Sequence, residues 1–211
     1  MKVTVISDIH GNLPALEKVF QLEGDTDLYI CLGDVVNYGP WNNECVDFIN
    51  NLDNCICILG DHETYFLKGN YPNQNELVQK FFDVTFKTFN RFNLISSYKE
   101  KWKNWDWVFK HTIDDKYIFP DTNIEVHENI FIGHSHKQFI KSINGKIVCN
   151  PGSVGQNRSI INLINYAVFY TEFNSIELKK IPYNVEIVLN EMKVRGYPKE
   201  CLAYYSKKNR I

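Results

Sequence analysis

Histidine and aspartate side chains recur along this sequence directly after short apolar runs, usually beside a glycine. The segments with this pattern are Ser7-Asp8-Ile9-His10-Gly11-Asn12, Gly33-Asp34, Gly60-Asp61-His62-Glu63, the single His111, and Gly133-His134-Ser135-His136. Parallel strands that end at one edge of a sheet place the residues that follow them in a common crevice. Carboxylates and imidazoles gathered in one crevice are typical ligands of a transition metal. The sequence therefore predicts a metal site.

The spacing within these segments favours paired ligands. Asp8 and His10 are separated by one residue, and so are His134 and His136. On an extended strand, residues i and i+2 point the same way, so the members of each pair would project together, and Asp8 and His10 could share one cation. The two carboxylate oxygens of Asp34 could bridge two metals. Nitrogen and oxygen ligands without sulfur suit Mn, Fe, Zn, Ni or Co. Two cations about 3.5–4 Å apart can bind one phosphate and activate a bridging hydroxide for attack on phosphorus.

Composition excludes several other classes of protein. The 211 residues suffice for one large domain, and 44% apolar and 23% charged residues are ordinary for a globular protein. A net charge of -2 gives no basic footprint for binding nucleic acid. No apolar run reaches the roughly 18 residues of a membrane span. Residues 1–6 lead straight into the first motif and are interpreted as a strand, so we expect a cytoplasmic protein without a signal peptide.

The six cysteines do not follow a secreted disulfide pattern. Cys31, Cys55, Cys57 and Cys149 lie in apolar, strand-like runs. The spacing of Cys55 and Cys57 places both thiols on one face of a strand. Reduced core cysteines in the cytoplasm are the favoured interpretation. A thiolate metal site is the alternative, but it lacks a second cysteine pair.

Hydrophobic periodicity predicts an α/β protein with a partly parallel sheet. In the first third, strands are predicted at 3–7, 28–32 and 55–59, and helices at 13–22 and 44–52. Residues 65–107 look helical and rich in aromatic residues that pack in the core. Further strands are predicted at 107–110, 129–132, 146–149, 166–171 and 175–180, followed by a last helix at 185–195. We expect a single domain over residues 1–211, built as two stacked mixed β-sheets flanked by helices in a four-layer α-β-β-α sandwich.

Taken in order, these segments resemble the calcineurin-like metallophosphoesterases, whose pattern is DxH, GD, GNH(D/E), a lone H and GHxH. The sequence is most similar to the small prokaryotic branch, which contains phosphodiesterases and diadenosine-tetraphosphatase-like proteins. The turn at residues 150–155, Gly39-Pro40 and Tyr197-Pro198 also fit that branch. The similarity covers nearly the whole chain, and five motifs in order are far more specific than any one alone.

The resemblance implies two divalent metal ions, with Mn expected first and Fe, Zn, Ni or Co as alternatives. The first metal would be held by Asp8, His10, Asp34 and His136. The second would be held by Asp34, Asp61, His111 and His134.

The resemblance also implies roles around the metals. His62 would protonate the leaving oxygen or stabilise the charged phosphoryl group, and Glu63 would orient His62. Asn12 and Arg158 could contact the phosphate, although helix capping and a surface salt bridge are the commoner roles of such residues. The implied substrate is a small phosphate ester or a nucleotide.

The chain departs from the family pattern at two places. Asp61 stands where the family has Asn, so it adds one negative charge to the ligand set. His111 is aligned as a ligand, although residues 112–117 differ from the residues that come after this histidine in the family. Asp61 supports an alternative function, a catalytically weak scaffold that binds proteins. The other ligand types are all retained, which favours an enzyme.

Overall fold

The computed structural model describes residues 1–72 and 75–211. In chain order the elements are β1 (Lys2–Ile6), α1 (Leu13–Leu22), β2 (Leu28–Cys31), α2 (Asn42–Asn50), β3 (Cys55–Cys57), α3 (Asp61–Lys68), α4 (Glu76–Thr88), α5 (Phe92–Ile95), β4 (Lys101–Asn104), β5 (Trp107–Lys110), β6 (Asn129–Phe131), β7 (Phe139–Ile143), β8 (Lys146–Asn150), β9 (Leu163–Tyr170), β10 (Ser175–Pro182), α6 (Glu186–Val194) and α7 (Lys199–Ser206).

In these residues the strands form two five-stranded mixed sheets. The first sheet has the order β10-β9-β1-β2-β3, and the second has the order β4-β5-β6-β8-β7. Parallel pairing joins β1 to β2 and β2 to β3 in the first sheet, and β5 to β6 and β6 to β8 in the second. The remaining pairs in both sheets are antiparallel. Each sheet therefore has three parallel strands whose carboxyl ends lie at one edge.

Alternate side chains along the strands point into the space between the two sheets and form a hydrophobic core there. Val3 and Val5 of β1 point inward, and Ile30 of β2 joins them. From the second sheet, large aromatic side chains such as Trp107 and Phe109 fill the same layer and are fully buried. Period-two alternation sends neighbouring residues to the opposite face, which is why Cys31 packs outside this layer.

The outer faces of the two sheets are covered differently. All seven helices of the described residues contribute buried side chains to one cluster on the outer face of the first sheet. The outer face of the second sheet is covered by Ile113, Ile118, Ile124 and Val126, which belong to a segment without helix. Two stacked mixed sheets flanked by helices are confirmed. The fourth layer of the expected sandwich is an irregular segment, because these four apolar side chains already bury the sheet face.

Most predicted elements are present within one to three residues of their expected ends. The 65–107 segment is the main correction, because it contains three helices and then β4, which pairs with β5 across a turn at Trp105 and Asp106. Both turn residues have positive φ. The sequence patterns also left β7 and α7 unpredicted, so α6 is not the last helix. The predicted turn at Asn144-Gly145 is present and is preceded by β7, whose alternating FIKSI pattern indicates a strand.

The structure places Cys31, Cys55, Cys57 and Cys149 in strands, as the sequence predicted. All six cysteines are free thiols, and Cys31 and Cys149 are buried in strands. The sulfurs of Cys55 and Cys57 lie 3.9 Å apart on one face of β3. None of the helices in the described residues combines the length and apolar character that crossing a bilayer requires.

Gly133 allows the ends of the two sheets to touch, which gives a test of the fold. A Cβ at this position would lie 2.0 Å from Ser7 Oγ and 2.9 Å from Asp8 Oδ2, at the end of β1. We expect Gly133→Ala to lower the free energy of unfolding by about 1–3 kcal/mol, the usual cost of overpacking. Urea denaturation measures it. Gly24→Ala is the control, since its Cβ would meet only Phe20 O at 3.5 Å. Equal stability of the two variants would contradict the tight contact.

Candidate metal centre

The candidate ligands converge because both sheets end at the same place. Asp8 and Asp34 follow β1 and β2, Asp61 begins the helix after β3, and His111 and His134 follow β5 and β6. Backbone hydrogen bonds join these loops. Asp8 N–H donates to Gly33 O at 3.0 Å, His10 N–H donates to Asp34 O at 2.9 Å, and Gly133 N–H donates to His111 O at 2.8 Å.

The backbone at these positions is left-handed, which corrects one expectation. Asp8, His10, Asp34, His134 and His136 all have φ between 49° and 64°. The paired residues therefore lie in tight turns beyond the strands, and the expected extended geometry was wrong. Non-glycine residues in this region are uncommon and often mark functional sites. The turns still direct all five side chains into one crevice.

The first group of ligands contains Asp8, His10 and His136, whose ligating atoms lie within 4.8 Å of one another. His10 Nε2 and His136 Nε2 are 3.1 Å apart, and His136 Nε2 is 3.3 Å from Asp8 Oδ1. All three residues are buried.

The second group contains Asp34, Asp61, His111 and His134. His111 Nε2 lies 3.0 Å from Asp61 Oδ1, and His134 Nδ1 lies 2.8 Å from the same oxygen. Asp34 Oδ2 is 3.2 Å from His111 Nε2 and 3.9 Å from His10 Nε2. Asp34 thus stands between the two groups, where the resemblance places a bridging carboxylate. His134 and His136 belong to different groups, as the resemblance also implies.

Backbone carbonyls fix the orientation of three imidazoles. Val36 O lies 3.1 Å from His10 Nδ1, Leu32 O lies 2.8 Å from His111 Nδ1, and Gln156 O lies 2.6 Å from His136 Nδ1. A carbonyl only accepts hydrogen bonds, so each Nδ1 carries a proton and each Nε2 faces the crevice. This is the arrangement that holds histidine ligands ready for a metal.

The polar atoms of the first group fit a cation. Asp8 Oδ1 is buried and accepts no hydrogen bond from the described residues. The facing Nε2 atoms of His10 and His136 both present lone pairs, because their protons are on Nδ1. A cation between these atoms would satisfy all three at once, whereas leaving a buried carboxylate oxygen unpaired is costly.

The pKa values of the candidate ligands are shifted, and the direction of the shift differs from one residue to another. Burial raises the pKa of Asp8 to about 7 and lowers the pKa of His10 to about 3. Burial also lowers the pKa of His136, as does the adjacent Arg158 charge. For His111, burial opposes protonation, but the Asp34 and Asp61 carboxylates outweigh it and hold its pKa well above the usual range.

The two carboxylates beside His111 have pKa values below the usual range of an aspartate. Burial and the charge of Asp61 act to raise the pKa of Asp34, yet the nearby imidazoles hold it at about 2. Burial likewise opposes ionisation of Asp61, and hydrogen bonds from His111 and His134 keep its pKa well below the usual range. The second group therefore forms ion pairs between imidazolium and carboxylate when no metal replaces the protons.

Glu63 has a different role from the one expected. Its carboxylate accepts N–H bonds from Asp34 and Gly60 at 2.8 and 2.9 Å, and from Val35 and Val36 at 2.8 and 3.1 Å. Glu63 therefore holds the loop that carries Asp34. The prediction that it orients His62 is wrong because these four bonds turn the carboxylate toward the backbone.

Asn37 orients His62 instead, and the sequence patterns did not single it out. Asn37 Oδ1 accepts a hydrogen bond from the Tyr38 N–H at 2.8 Å, which fixes which end of the amide is oxygen. Asn37 Nδ2 then donates to His62 Nδ1 at 2.9 Å. A neutral His62 that accepts at Nδ1 carries its proton on Nε2. A signal was present, since Asn37 lies three residues after Asp34 in a loop already assigned to the site.

Asn12 and Arg158 differ in their relation to the crevice. Asn12 Oδ1 caps α1 through Ala15 N, and its amide nitrogen donates to Gly155 O and Tyr183 Oη. These bonds occupy the Asn12 amide, so its expected contact with phosphate is replaced by helix capping. Arg158 Nη2 lies 3.3 Å from His136 Nε2, and among the described residues no carboxylate forms an ion pair with Arg158. The guanidinium therefore remains a candidate for binding phosphate.

Comparisons with known proteins agree with this geometry. The family model of the calcineurin-like phosphoesterases matches residues 1–165. An uncharacterized protein of Methanocaldococcus jannaschii is 30% identical over 225 residues, covering 87% of this chain and 88% of that protein. A metallophosphoesterase from Sphaerobacter thermophilus has a similar structure, with a TM-score of 0.78, 23% identity and 98% coverage of both chains. The phosphodiesterase YfcE of Escherichia coli is 48% identical over 44 residues, which cover 20% of this chain and 24% of YfcE.

The pKa of His111 predicts how the stability of the metal-free protein depends on pH. In the folded state its pKa is raised above the unfolded value of about 6.5. Between pH 6.5 and 8 the folded protein keeps a proton that the unfolded chain releases. Stability from this group is therefore fully present below pH 6.5 and is lost as the pH rises. We expect the Tm of the metal-free protein to fall across this window.

Metal should reverse this dependence, because only the neutral imidazole can bind a cation. The stabilisation by added Mn²⁺ should therefore grow from pH 6.5 to 8. Thermal unfolding with a chelator or with Mn²⁺ measures both trends. His111→Gln should remove the decline in Tm, while His127→Gln, at an exposed position outside the crevice, should retain it. A metal-free Tm that rises with pH in wild-type protein would contradict the assignment.

Proposed function

Because the chain belongs to the calcineurin-like phosphoesterases, we propose that it is a two-metal enzyme that hydrolyses a phosphate mono- or diester. Membership makes the protein a metal-dependent hydrolase of phosphate esters. The two-metal mechanism and the substrate are the proposed part. The observation that supports two metals is Asp34, whose carboxylate lies between two separate groups of ligands.

The residues that would hold the metals are those of the two groups. Asp8, His10, Asp34 and His136 would hold the first metal, and Asp34, Asp61, His111 and His134 the second. Bound metals would supply an activated water and neutralise charge on the phosphate. Mn²⁺ is the proposed ion, and Fe, Zn, Ni or Co share the same preference for nitrogen and oxygen ligands.

His62 is the proposed general acid, and its contacts support this role. Its backbone N–H donates to Asp34 Oδ1 at 3.0 Å, which anchors it beside the second group. Its ring centroid lies 5.0 Å from that of His10. With Nδ1 occupied by Asn37, the Nε2 proton is the one available to a leaving oxygen. Arg158 would bind a phosphate oxygen from the side of the first group.

The substrate class is inferred from this arrangement and from a relative. The two proposed metals beside Arg158 would form a phosphate-binding centre, which would suit small esters and nucleotides. The local similarity to a phosphodiesterase motivates the inclusion of diesters. We further propose one catalytic domain over residues 1–211 and a cytoplasmic location, where its six free thiols would stay reduced.

Activity of His62→Gln tests the proposed role of this residue. We expect turnover of an aryl phosphate mono- or diester with Mn²⁺ to fall by roughly 10²–10⁴-fold, the usual contribution of general acid–base catalysis. Metal content, measured by elemental analysis, should stay near that of wild-type protein. His127→Gln, which changes an exposed histidine, should keep full activity.

Other results would assign the site differently. Loss of metal from His62→Gln would make His62 a ligand, since it also forms a group with His10 and Asp34. Wild-type protein that binds two metals and hydrolyses neither ester would favour the catalytically weak scaffold.

Asp61→Asn tests the charge that distinguishes this chain from the family pattern. Removing one negative charge should strengthen attraction for the phosphate in the transition state. We expect kcat to rise roughly 10-fold, which corresponds to about 1.4 kcal/mol in the activation barrier. This is well below the interaction energy of about 4 kcal/mol for a unit charge pair at 4 Å and an effective dielectric of 20. The pH profile should reach its plateau at lower pH.

Both kcat and kcat/KM must be measured, because tighter ground-state binding alone leaves kcat unchanged. Asp121→Asn is the matched control, since this exposed carboxylate belongs neither to a ligand group nor to the lining of the neighbouring cavity. A lower kcat/KM for Asp61→Asn, with the pH midpoint unchanged or raised, would show that the carboxylate contributes to the mechanism.

A further inference from the structure

A cavity of about 490 Å³ opens beside one side of the metal centre. Its lining includes Asp61, His111 and His134 of the second group, but none of Asp8, His10 and His136. Cavities of roughly 300–1,000 Å³ are typical of small-molecule sites. The volume exceeds what a phosphate group needs, so the cavity has room for the organic part of an ester.

Tyrosine rings form much of the cavity wall. The ring centroids of Tyr65 and Tyr71 are 5.2 Å apart, and the two ring planes are nearly perpendicular. Tyr117 stacks on the imidazole of His134 with a centroid distance of 4.0 Å and an interplanar angle of 18°. Tyr117 nevertheless keeps 48% of its surface exposed. Arg158 lies 5.3 Å from the centroid of the same ring. The part of the Tyr117 ring that stays exposed offers a platform on which another planar ring can stack.

The proposed general acid His62 lies next to two tyrosines of the cavity wall. The His62 ring lies 5.9 Å from Tyr65 and 6.2 Å from Tyr71, and its plane is within 16° of the Tyr71 plane. This proximity supports an ester whose organic group in the cavity is joined to phosphorus through the oxygen that His62 would protonate. The cavity is thus positioned for the leaving group of the ester.

Polar side chains among the tyrosines favour a ring with hydrogen-bonding edges. Thr64 and Thr112 contribute hydroxyl groups, and Asp115 and Lys68 contribute charged groups to the lining. The Thr64 and Thr112 hydroxyls already donate to Gly60 O and Lys116 O, which leaves their oxygens free to accept, and Lys68 and Asp115 are exposed. A nucleobase presents both donors and acceptors to such groups, whereas a plain phenyl ring presents neither.

From this juxtaposition we propose that the cavity binds the nucleoside leaving group of a phosphate ester, with the base stacked on Tyr117. This inference rests on the proposed phosphoesterase function. Water adds to phosphorus, the bond from phosphorus to the nucleoside 5′ oxygen breaks, and that oxygen takes the proton from His62. Phosphate is released from a monoester, or a phosphate monoester from a diester, and His62 regains a proton from solvent.

Substrates that share one scissile bond test the proposal. A nucleoside 5′-monophosphate and ribose 5-phosphate have the same leaving oxygen and differ in the base, and the methyl diester of each provides the diester pair. Benzyl phosphate provides an aromatic ring without base edges or ribose. We expect kcat/KM to be about 10-fold higher with the base than without it, and intermediate for benzyl phosphate.

Tyr117→Ala should lower kcat/KM about 10-fold for the nucleoside ester and leave ribose 5-phosphate unchanged. Phe173→Ala is the control, because this ring is 77% exposed in the turn between β9 and β10, outside the cavity lining. Binding of the free nucleoside to metal-free protein, measured by titration calorimetry, gives a readout without catalysis. Tyr117→Ala should weaken this binding about 10-fold, and Phe173→Ala should not change it.

The outcomes separate this inference from the proposed function. Nucleoside binding that depends on Tyr117, without hydrolysis of any ester, would support the cavity and overturn the enzyme mechanism. Equal hydrolysis with and without the base would overturn the cavity and leave the mechanism intact. A preference for benzyl phosphate over the nucleoside ester would also overturn the nucleoside assignment, because the polar lining would then contribute nothing.

Discussion

Pairing between carboxylates of the first sheet and imidazoles of the second holds the two strand-end edges together. Asp8, Asp34 and Asp61 all follow strands of the first sheet, and His111 and His134 follow strands of the second. The pairs are close, as shown by 2.8 Å between His134 Nδ1 and Asp61 Oδ1. Buried charges of one sign would separate the sheets, so every carboxylate in this contact requires a proton or a cation nearby.

Metal ions would replace the protons in this contact. In the metal-free protein, the proton on His111 balances part of the charge of Asp34 and Asp61. Asp8 Oδ1 lacks a hydrogen bond from the described residues, and its raised pKa shows that burial makes its charge costly. Metal binding would therefore add to the stability of the contact between the sheets. Under the proposed function, folding and catalysis would depend on the same side chains.

The close contact between the loops also requires glycine at certain positions. A Cβ on Gly155 would lie 1.6 Å from Ile9 O, and a Cβ on Gly60 would lie 2.2 Å from Asp34 Oδ1. The loops therefore pack backbone against backbone, which lets left-handed turns at Asp8 and Asp34 be held by their neighbours. Glu63 contributes by binding four backbone N–H groups of the surrounding loops.

Sequence patterns were sufficient for features encoded locally or in ordered motifs. Apolar runs and glycine-marked ends located β1, β2 and β3, and the order of the motifs brought His111 into the site despite an unusual segment after it. The bonds of Glu63 and Asn37 depend on where loops distant in sequence meet. The family resemblance therefore implied a wrong role for Glu63, and the sequence patterns missed Asn37. Likewise, nothing in the composition of residues 113–126 showed that they would take the place of a helix layer.

The two ligand groups differ in their exposure to solvent, so only one side of the metal centre is open to a substrate. Asp8 and His10 are fully buried, whereas the Asp61 side chain is 24% exposed at the edge of the cavity. A substrate of the proposed enzyme would therefore approach from the second group, with Tyr117 beside its path and His62 near both the cavity wall and His10. Asp61, the residue that departs from the family pattern, is thus the most exposed carboxylate of the centre. Its negative charge would act where the proposed anionic substrate enters, so we expect it to influence both the charge of the metal centre and the approach of the substrate.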